Sequence, residues 1–297
     1  MHSTTIRERV LAWDKDPGGT TTVRAIATPS KLLRSLHVAK FAPQVRLYFG
    51  LLVDKGVGTL DEFDVKLAEY ALFQRTQLLP ERRTGKIYSV ADRLRLRSSY
   101  SSFVKKHAAQ HASEILAEYR QEMRSQFDRR VAFIPSTIRS VLDIGCGLAG
   151  FDGPLYEHFR SNEPEIYLLD RTQVESSVWY KFHAKGAFYN SLELASLNLV
   201  RNGVPEHRVH CLEAPDDGIL DGLVHSIDLV VSTISWGFHY PIDIYVESVQ
   251  RIMSSGAVLL VDVRKGTDGR EELERYFPGT TDVVDEGEKH FVVRCVK

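Results

Sequence analysis

The chain has 297 residues, with 38 Lys+Arg against 39 Asp+Glu and a formal net charge of -1. Bulk charge therefore points to no nucleic-acid or membrane partner, and no run approaches the ~18 apolar residues of a membrane span. Three cysteines, Cys146, Cys211 and Cys295, are too few for a disulfide framework. They lead us to expect a reducing, cytoplasmic setting. The opening MHSTTIRERV lacks the apolar core of a signal peptide.

The length suggests two domains. Residues 1 to 29 include the turn-rich DPGGTTT and read as an arm. From Ser30 the apolar residues recur at helical spacing as far as Val53. Thr59 and Glu62 have the spacing of a capping box, and a helix is expected from there through Phe73. Ser101 to Ile134 contains no glycine or proline, so one long helix, or two with a kink, should end before Pro135. We therefore expect a mainly helical unit over 1–135, serving as a substrate cap or a dimer surface.

From Ser136 the texture alternates between strand and helix, the sign of an α/β unit. Strands are expected at Val141 to Ile144, Ile166 to Leu169, Val209 to Leu212, Ile227 to Val231 and Ala257 to Val263. Helices are expected through Pro154, Leu155, Tyr156 and Phe159, over Leu192 to Asn202, over Ile244 to Met253 and near Glu271 to Phe277. Two closing strands, Asp282 to Val284 and Phe291 to Val296, suggest a terminal antiparallel hairpin.

The stretch RSVLDIGCGLAG organises this half. A buried strand breaks into a turn with Gly145, Gly147 and Gly150, where glycine tolerates positive φ and close approach. Such a loop at the carboxyl end of a strand is where open α/β sheets bind ligands. The G-x-G-x-x-G spacing also describes dinucleotide sites. Asp143 argues against a pyrophosphate there, because like charges in one pocket repel. A carboxylate at that strand end suits a ligand ammonium.

With Asp143 in place, the stretch resembles motif I of class I S-adenosylmethionine (SAM) dependent methyltransferases. The resemblance covers the region 136–297. It implies an α/β, Rossmann-like, seven-stranded sheet with a C-terminal antiparallel hairpin beside the helical unit. It also implies SAM as cofactor, S-adenosylhomocysteine as product, and no metal. On this reading Asp143, Gly145, Cys146 and Gly147 hold the amino-acid end of the cofactor. Asp170, at the end of the second strand, accepts the ribose hydroxyls, with Arg171 beside it. After the third strand, the slot that often holds an acidic residue near adenine carries Ala214, with Glu213 next to it. Ser232, after the fourth strand, would flank the methionine part.

Acceptor residues are expected in two places. The segment SWGFHYP holds Trp236, His239 and Tyr240. Aromatic walls suit a sulfonium and a flat acceptor. His239 is the candidate base for a hydroxyl, because its ordinary pKa lies near working pH, and Tyr240 is its neighbour. The long connection after Asp170 holds Trp179, Tyr180, His183, Tyr189 and Asn190, and long loops at a sheet's carboxyl end usually carry function. The acceptor is expected to be a small molecule with a hydroxyl, sugar-like or natural-product-like. The alternatives are a small-molecule amine, an RNA, or a silent SAM-binding partner subunit. An NAD enzyme is a distant further reading. Residues 81–130 hold 12 Lys+Arg against 6 Asp+Glu, which would favour an anionic acceptor. No membrane or nucleic-acid partner is expected, and the N-terminal helices offer a homodimer surface.

Overall fold

The structure, a computed structural model, describes residues 58–74, 98–174, 189–215, 217–220, 223 and 226–297. The expected arm, the helix from Ser30 and the aromatic segment 175–188 lie outside these residues.

Two helices come first. α1 (Gly58–Gln74) already contains Thr59 in its backbone, so the expected cap lies within the helix. α2 (Ser98–Arg130) runs without glycine or proline but leaves helical geometry at His111, at φ -132° and ψ 23°. The kinked alternative is the one adopted. His111 Nδ1 lies 3.1 Å from Glu114 just after the kink. Leu67, Ala71, Ile115, Leu116 and Tyr119 close the two helices on one another. No helix among the described residues is long and apolar enough to cross a membrane.

The α/β part follows: β1 (Ser140–Ile144), α3 (Asp152–His158), β2 (Glu165–Asp170), β3 (Gln173–Val174), β4 (Tyr189–Asn190) and α4 (Leu192–Arg201). Then come β5 (Val209–Glu213), β6 (Ile227–Ser232), β7 (Ser235–Tyr240), α5 (Val246–Ile252), β8 (Met253–Arg264), α6 (Gly269–Tyr276), β9 (Thr281–Glu286) and β10 (His290–Val296). α4 starts at Ser191, whose hydroxyl accepts from Leu194 N at 3.2 Å. It stops before Gly203, which takes φ 89°.

The main sheet has seven strands in the order β5-β2-β1-β6-β8-β10-β9. All are parallel except β10, which runs antiparallel between β8 and β9. Numbering the sheet strands in chain order gives 3-2-1-4-5-7-6, with the last strand reversed. This is the class I methyltransferase architecture that the motif resemblance implied.

Strand alternation sorts the core into two layers. Val141, Leu229, Val231, Val258 and Leu260 meet Phe127 of α2 and Leu155 of α3. Leu142, Ile144, Val230, Leu259 and Val261 meet α5, α6 and Trp236 on the other face. The end of α2 is thus part of the sheet's own core. The same alternation puts Asp143 of β1 and Asp262 of β8 on the α2 and α3 side.

Candidate active site

The strand order reverses between β1 and β6, since the chain steps from β1 outward to β2 and β5, then returns to β6 on the opposite side. Open α/β sheets bind ligands outside the carboxyl ends at such a point. Residues 145–150 stand there. Gly145 N donates to Leu169 O at 2.7 Å, extending the ladder by one bond. The chain then turns back sharply, with Ala149 N on Cys146 O at 2.8 Å. Gly145, Gly147 and Ala149 all have positive φ, at 74°, 56° and 55°.

The glycines admit the protein's own neighbours. A Cβ on Gly145 would overlap the Ser235 hydroxyl, and one on Gly150 would overlap the Tyr119 phenol. One on Gly147 would lie 2.8 Å from Gln74 Oε1. The glycine-rich turn is therefore packed between the helices and β7, where sequence reasoning expected glycine to make room for a ligand. Asn198 of α4 secures it from the far side by donating to Leu148 O at 2.8 Å.

Asp170 stands where expected, at the tip of β2. It accepts from Gly147 N at 2.9 Å and from Arg171 N at 2.7 Å. Burial pushes its carboxyl up to about 6, against the lowering effect of those two N–H groups and the nearby Asn190 amide. The Asn190 amide nitrogen is buried without a hydrogen bond of good geometry. Its oxygen accepts from Gln74 Nε2 at 3.5 Å. Gln74, at the end of α1, thus reaches both the turn and β4. Sequence reasoning missed it, because nothing in α1's spacing marks its last residue.

Below the turn lies an acidic pair. Asp143 is 1% exposed and Asp152, the first residue of α3, is 0% exposed. Asp143 Oδ1 and both Asp152 oxygens lack a hydrogen-bond partner as carboxylates. Neither can donate to the other unless one is protonated, and a proton shared between them gives two of the three oxygens a partner. Burial first, then the charge of Asp152, drives the Asp143 carboxyl well above the ordinary range. Burial takes Asp152 to about 6. The same surroundings, burial first and then Asp170 and Asp143, raise the Cys146 thiol. Sequence reasoning singled out Asp143 and not Asp152, which reads as an ordinary first-turn helix acid.

The remaining candidates separate. Glu213, at the tip of β5, accepts from Thr172 N at 3.1 Å, so it braces the β2 and β5 ends. Ala214 N donates to Asp170 O at 2.9 Å and continues the ladder. Ser232 is buried. Its hydroxyl donates to Ile144 O at 2.7 Å and accepts from Trp236 N at 2.9 Å, latching β1 to the start of β7. Trp236 was expected as an acceptor wall. It is 0% exposed, sits in the sheet's core, and spends its indole N–H on Ile242 O at 3.0 Å.

The segment after β6 that was expected to hold acceptor residues is extended, as β7. Gly237 lies against Val261 and Asp262 of β8, and Phe238 meets His290 of β10 edge-on at 6.1 Å. β7 therefore crosses the carboxyl rim away from β1. At ~3.3 Å per residue, His239 lies about 13 Å along the strand from Ser235. His239 is exposed there, with Tyr240 half-buried beside it. Trp179, Tyr180 and His183 lie outside the described residues. Tyr189 and Asn190 return in β4 and pair with β3, joining the two ends of that connection in a short antiparallel ladder.

No protein-family model and no curated protein matches the chain. Among solved structures it is similar to the SAM-dependent methyltransferase SibL in its apo form, at 17% identity and TM-score 0.43, over 69% of this chain and 61% of that one. It is similar to an O-methyltransferase family protein from Burkholderia thailandensis, at 12% identity and TM-score 0.42, over 68% and 63%. A third is the T. thermophilus 16S rRNA methyltransferase RsmC in complex with AdoMet and guanosine, at 14% identity and TM-score 0.40, over 62% and 42%. The chain spans less than two thirds of the length of each of these proteins. The fold assignment rests on the strand order, not on these likenesses.

Proposed function

We propose that this chain is a SAM-dependent methyltransferase, and that its acceptor is a hydroxyl of a small molecule. One observation carries the cofactor reading. Directly under the glycine turn, at the reversal of strand order, three buried carboxylate oxygens on Asp143 and Asp152 lack a partner. Among the described residues, the charged groups acting on Asp143 are Asp152 and Asp170, both acids. A diphosphate would add like charge to this pocket, whereas a ligand ammonium would neutralise it. The residues present fit an amino-acid-bearing adenosyl ligand.

Bound there, SAM would supply an electrophilic methyl group on a sulfonium. The chain's own residues have the following parts. Asp143 and its neighbour receive the ammonium. Asp170 faces the ribose hydroxyls and keeps the turn in place through Gly147 N. Glu213 and Ala214 border the adenine. Ser232 holds the mouth between β1 and β7. His239 takes the acceptor's proton on the rim over β8, with Tyr240 beside it. Holding acceptor and methyl in line supplies most of the rate, since effective molarities are worth roughly 7–11 kcal/mol.

Calorimetric titration with S-adenosylhomocysteine tests the cofactor. Binding with one site per chain is expected, and preference for NADH would overturn the reading. His239→Ala tests the hydroxyl acceptor. Turnover should fall by about 10²–10⁴ while S-adenosylhomocysteine affinity stays the same. Undiminished turnover would point to an amine that needs no base.

A second reading has its own support. Ser235, Gln74 and Tyr119 occupy the spaces over the three glycines. A chain closed in this way could serve as a silent partner subunit. Ser235→Gly together with Gln74→Ala would then create S-adenosylhomocysteine binding that the unaltered protein lacks.

A further inference from the structure

Resting on the cofactor reading above, we propose that Asp152 belongs to the cofactor site. On this proposal the Asp143 and Asp152 carboxyls hold one proton between them in the free protein and give it up when the ligand's ammonium docks. The binding step is thus an exchange of one cation for another.

The argument begins with placement. Strand alternation turns Asp143 toward α3, and α3 opens with Asp152, so one acid comes from the sheet and one from the helix that follows the glycine turn. Both are essentially free of solvent. Two ionised carboxylates side by side in a dry pocket repel strongly and cannot hydrogen-bond each other. One shared proton removes a charge and makes the hydrogen bond. The remaining single negative charge is what an incoming ammonium meets.

Other titratable groups around the pair act in the same direction. Asp170 at the tip of β2 adds negative charge, and the Cys146 thiol on the turn stays protonated. Nothing charged in that set can take the ammonium's place. With the ammonium bound, the pair carries two negative charges against one positive charge, and the proton leaves to solvent. The ligand's amino group keeps its own proton across the range titrated below, because even a peptide α-amino group titrates only at ~7.7–8, so release comes from the protein.

Calorimetry on the full chain reads this directly. S-adenosylhomocysteine is titrated between pH 6.5 and 7.5, above the range in which the Asp152 and Asp170 carboxyls themselves take up a proton, in buffers of different ionisation enthalpy. Close to one proton should be released per ligand, and Kd should improve up to roughly tenfold per pH unit. 5′-Methylthioadenosine, which shares the adenosine and the sulfur but has no ammonium, should release none. Asp152→Asn keeps the shape of the side chain and removes its titration. In that variant Asp143 keeps the effects of burial and of Asp170, so the release and the pH dependence should both shrink, and in the double variant Asp143→Asn with Asp152→Asn they should disappear, with the fold verified by thermal unfolding. Binding of S-adenosylhomocysteine without proton release overturns this inference alone, as does equal release from methylthioadenosine or from Asp152→Asn. Absence of binding by either ligand at every pH overturns the cofactor reading and this inference with it.

Discussion

Arg130, the last residue of α2, donates to Asp262 in β8 across 2.8 Å, and both side chains are buried. The other Asp262 oxygen accepts from Ile234 N at 3.1 Å, and His290 of β10 lies 3.9 Å from it. One carboxylate therefore joins the helical layer, the sheet and the connection between β6 and β7. Ile234 needs that bond. It holds φ 54°, a conformation a β-branched residue adopts only when its surroundings impose it. The turn at Ile234 in turn places Ser235 against Gly145.

Breaking this pair should be costly. Arg130→Met leaves Asp262 buried without its cation, and a loss of about 3–5 kcal/mol is expected in urea unfolding. Adding Asp262→Asn should recover part of the loss, because the uncompensated charge is then gone. A single-variant loss below about 1 kcal/mol would show that Asp262 finds another partner.

Gly145→Ala should disturb the turn in two ways. The new methyl group would overlap Ser235, and φ 74° disfavours any L side chain. Combining it with Ser235→Gly relieves the overlap and leaves the backbone cost of about 1–2 kcal/mol. Thermal unfolding of the single and double variants should differ accordingly. Equal melting temperatures would mean that Ser235 simply moves aside.

Asp170→Asn keeps the size of the side chain and removes a charged acceptor of two N–H bonds. Charge-assisted hydrogen bonds contribute roughly 1.5–3 kcal/mol each, so S-adenosylhomocysteine affinity should fall tenfold or more. Unchanged affinity by calorimetry would remove Asp170 from the ribose contact.

The Asp152 carboxyl gives a pH prediction for the ligand-free protein. Burial raises it from 3.8 to about 6 in the folded state, so the folded chain binds that proton more tightly than the unfolded chain. Its stabilisation is fully present below the unfolded value and is lost as pH rises through about 6. The loss is on the order of 3 kcal/mol. Asp152→Asn lacks this term. It should melt close to the unaltered protein at low pH and above it at pH 7.5. A variant that melts lower at both values would show that Asp152 is stabilised as an anion.

The closing hairpin and the order of strands and helices after Ser136 were legible in the sequence. Apolar runs bounded by glycine make buried strands, and the period of the pattern marks each change from strand to helix. The positions of Asp143, one residue before the end of β1, and of Asp170, at the end of β2, were legible for the same reason. Trp236 was misread because an aromatic residue after a strand looks the same in sequence whether it lines a pocket or fills a core. β7 was not among the expected strands, and its extended path over β8 comes from packing at Gly237 and Phe238.

Alone, then, the sequence determined the α/β architecture and the position of its glycine-rich turn, because local periodicity and turn chemistry act over neighbouring residues. Tertiary structure alone decided what surrounds that turn. Asp152 meets Asp143, Gln74 reaches the glycine turn, and Arg130 finds Asp262 132 positions away. Such meetings depend on which strand face each residue occupies and on which helix closes over it, and no local pattern in the chain records either.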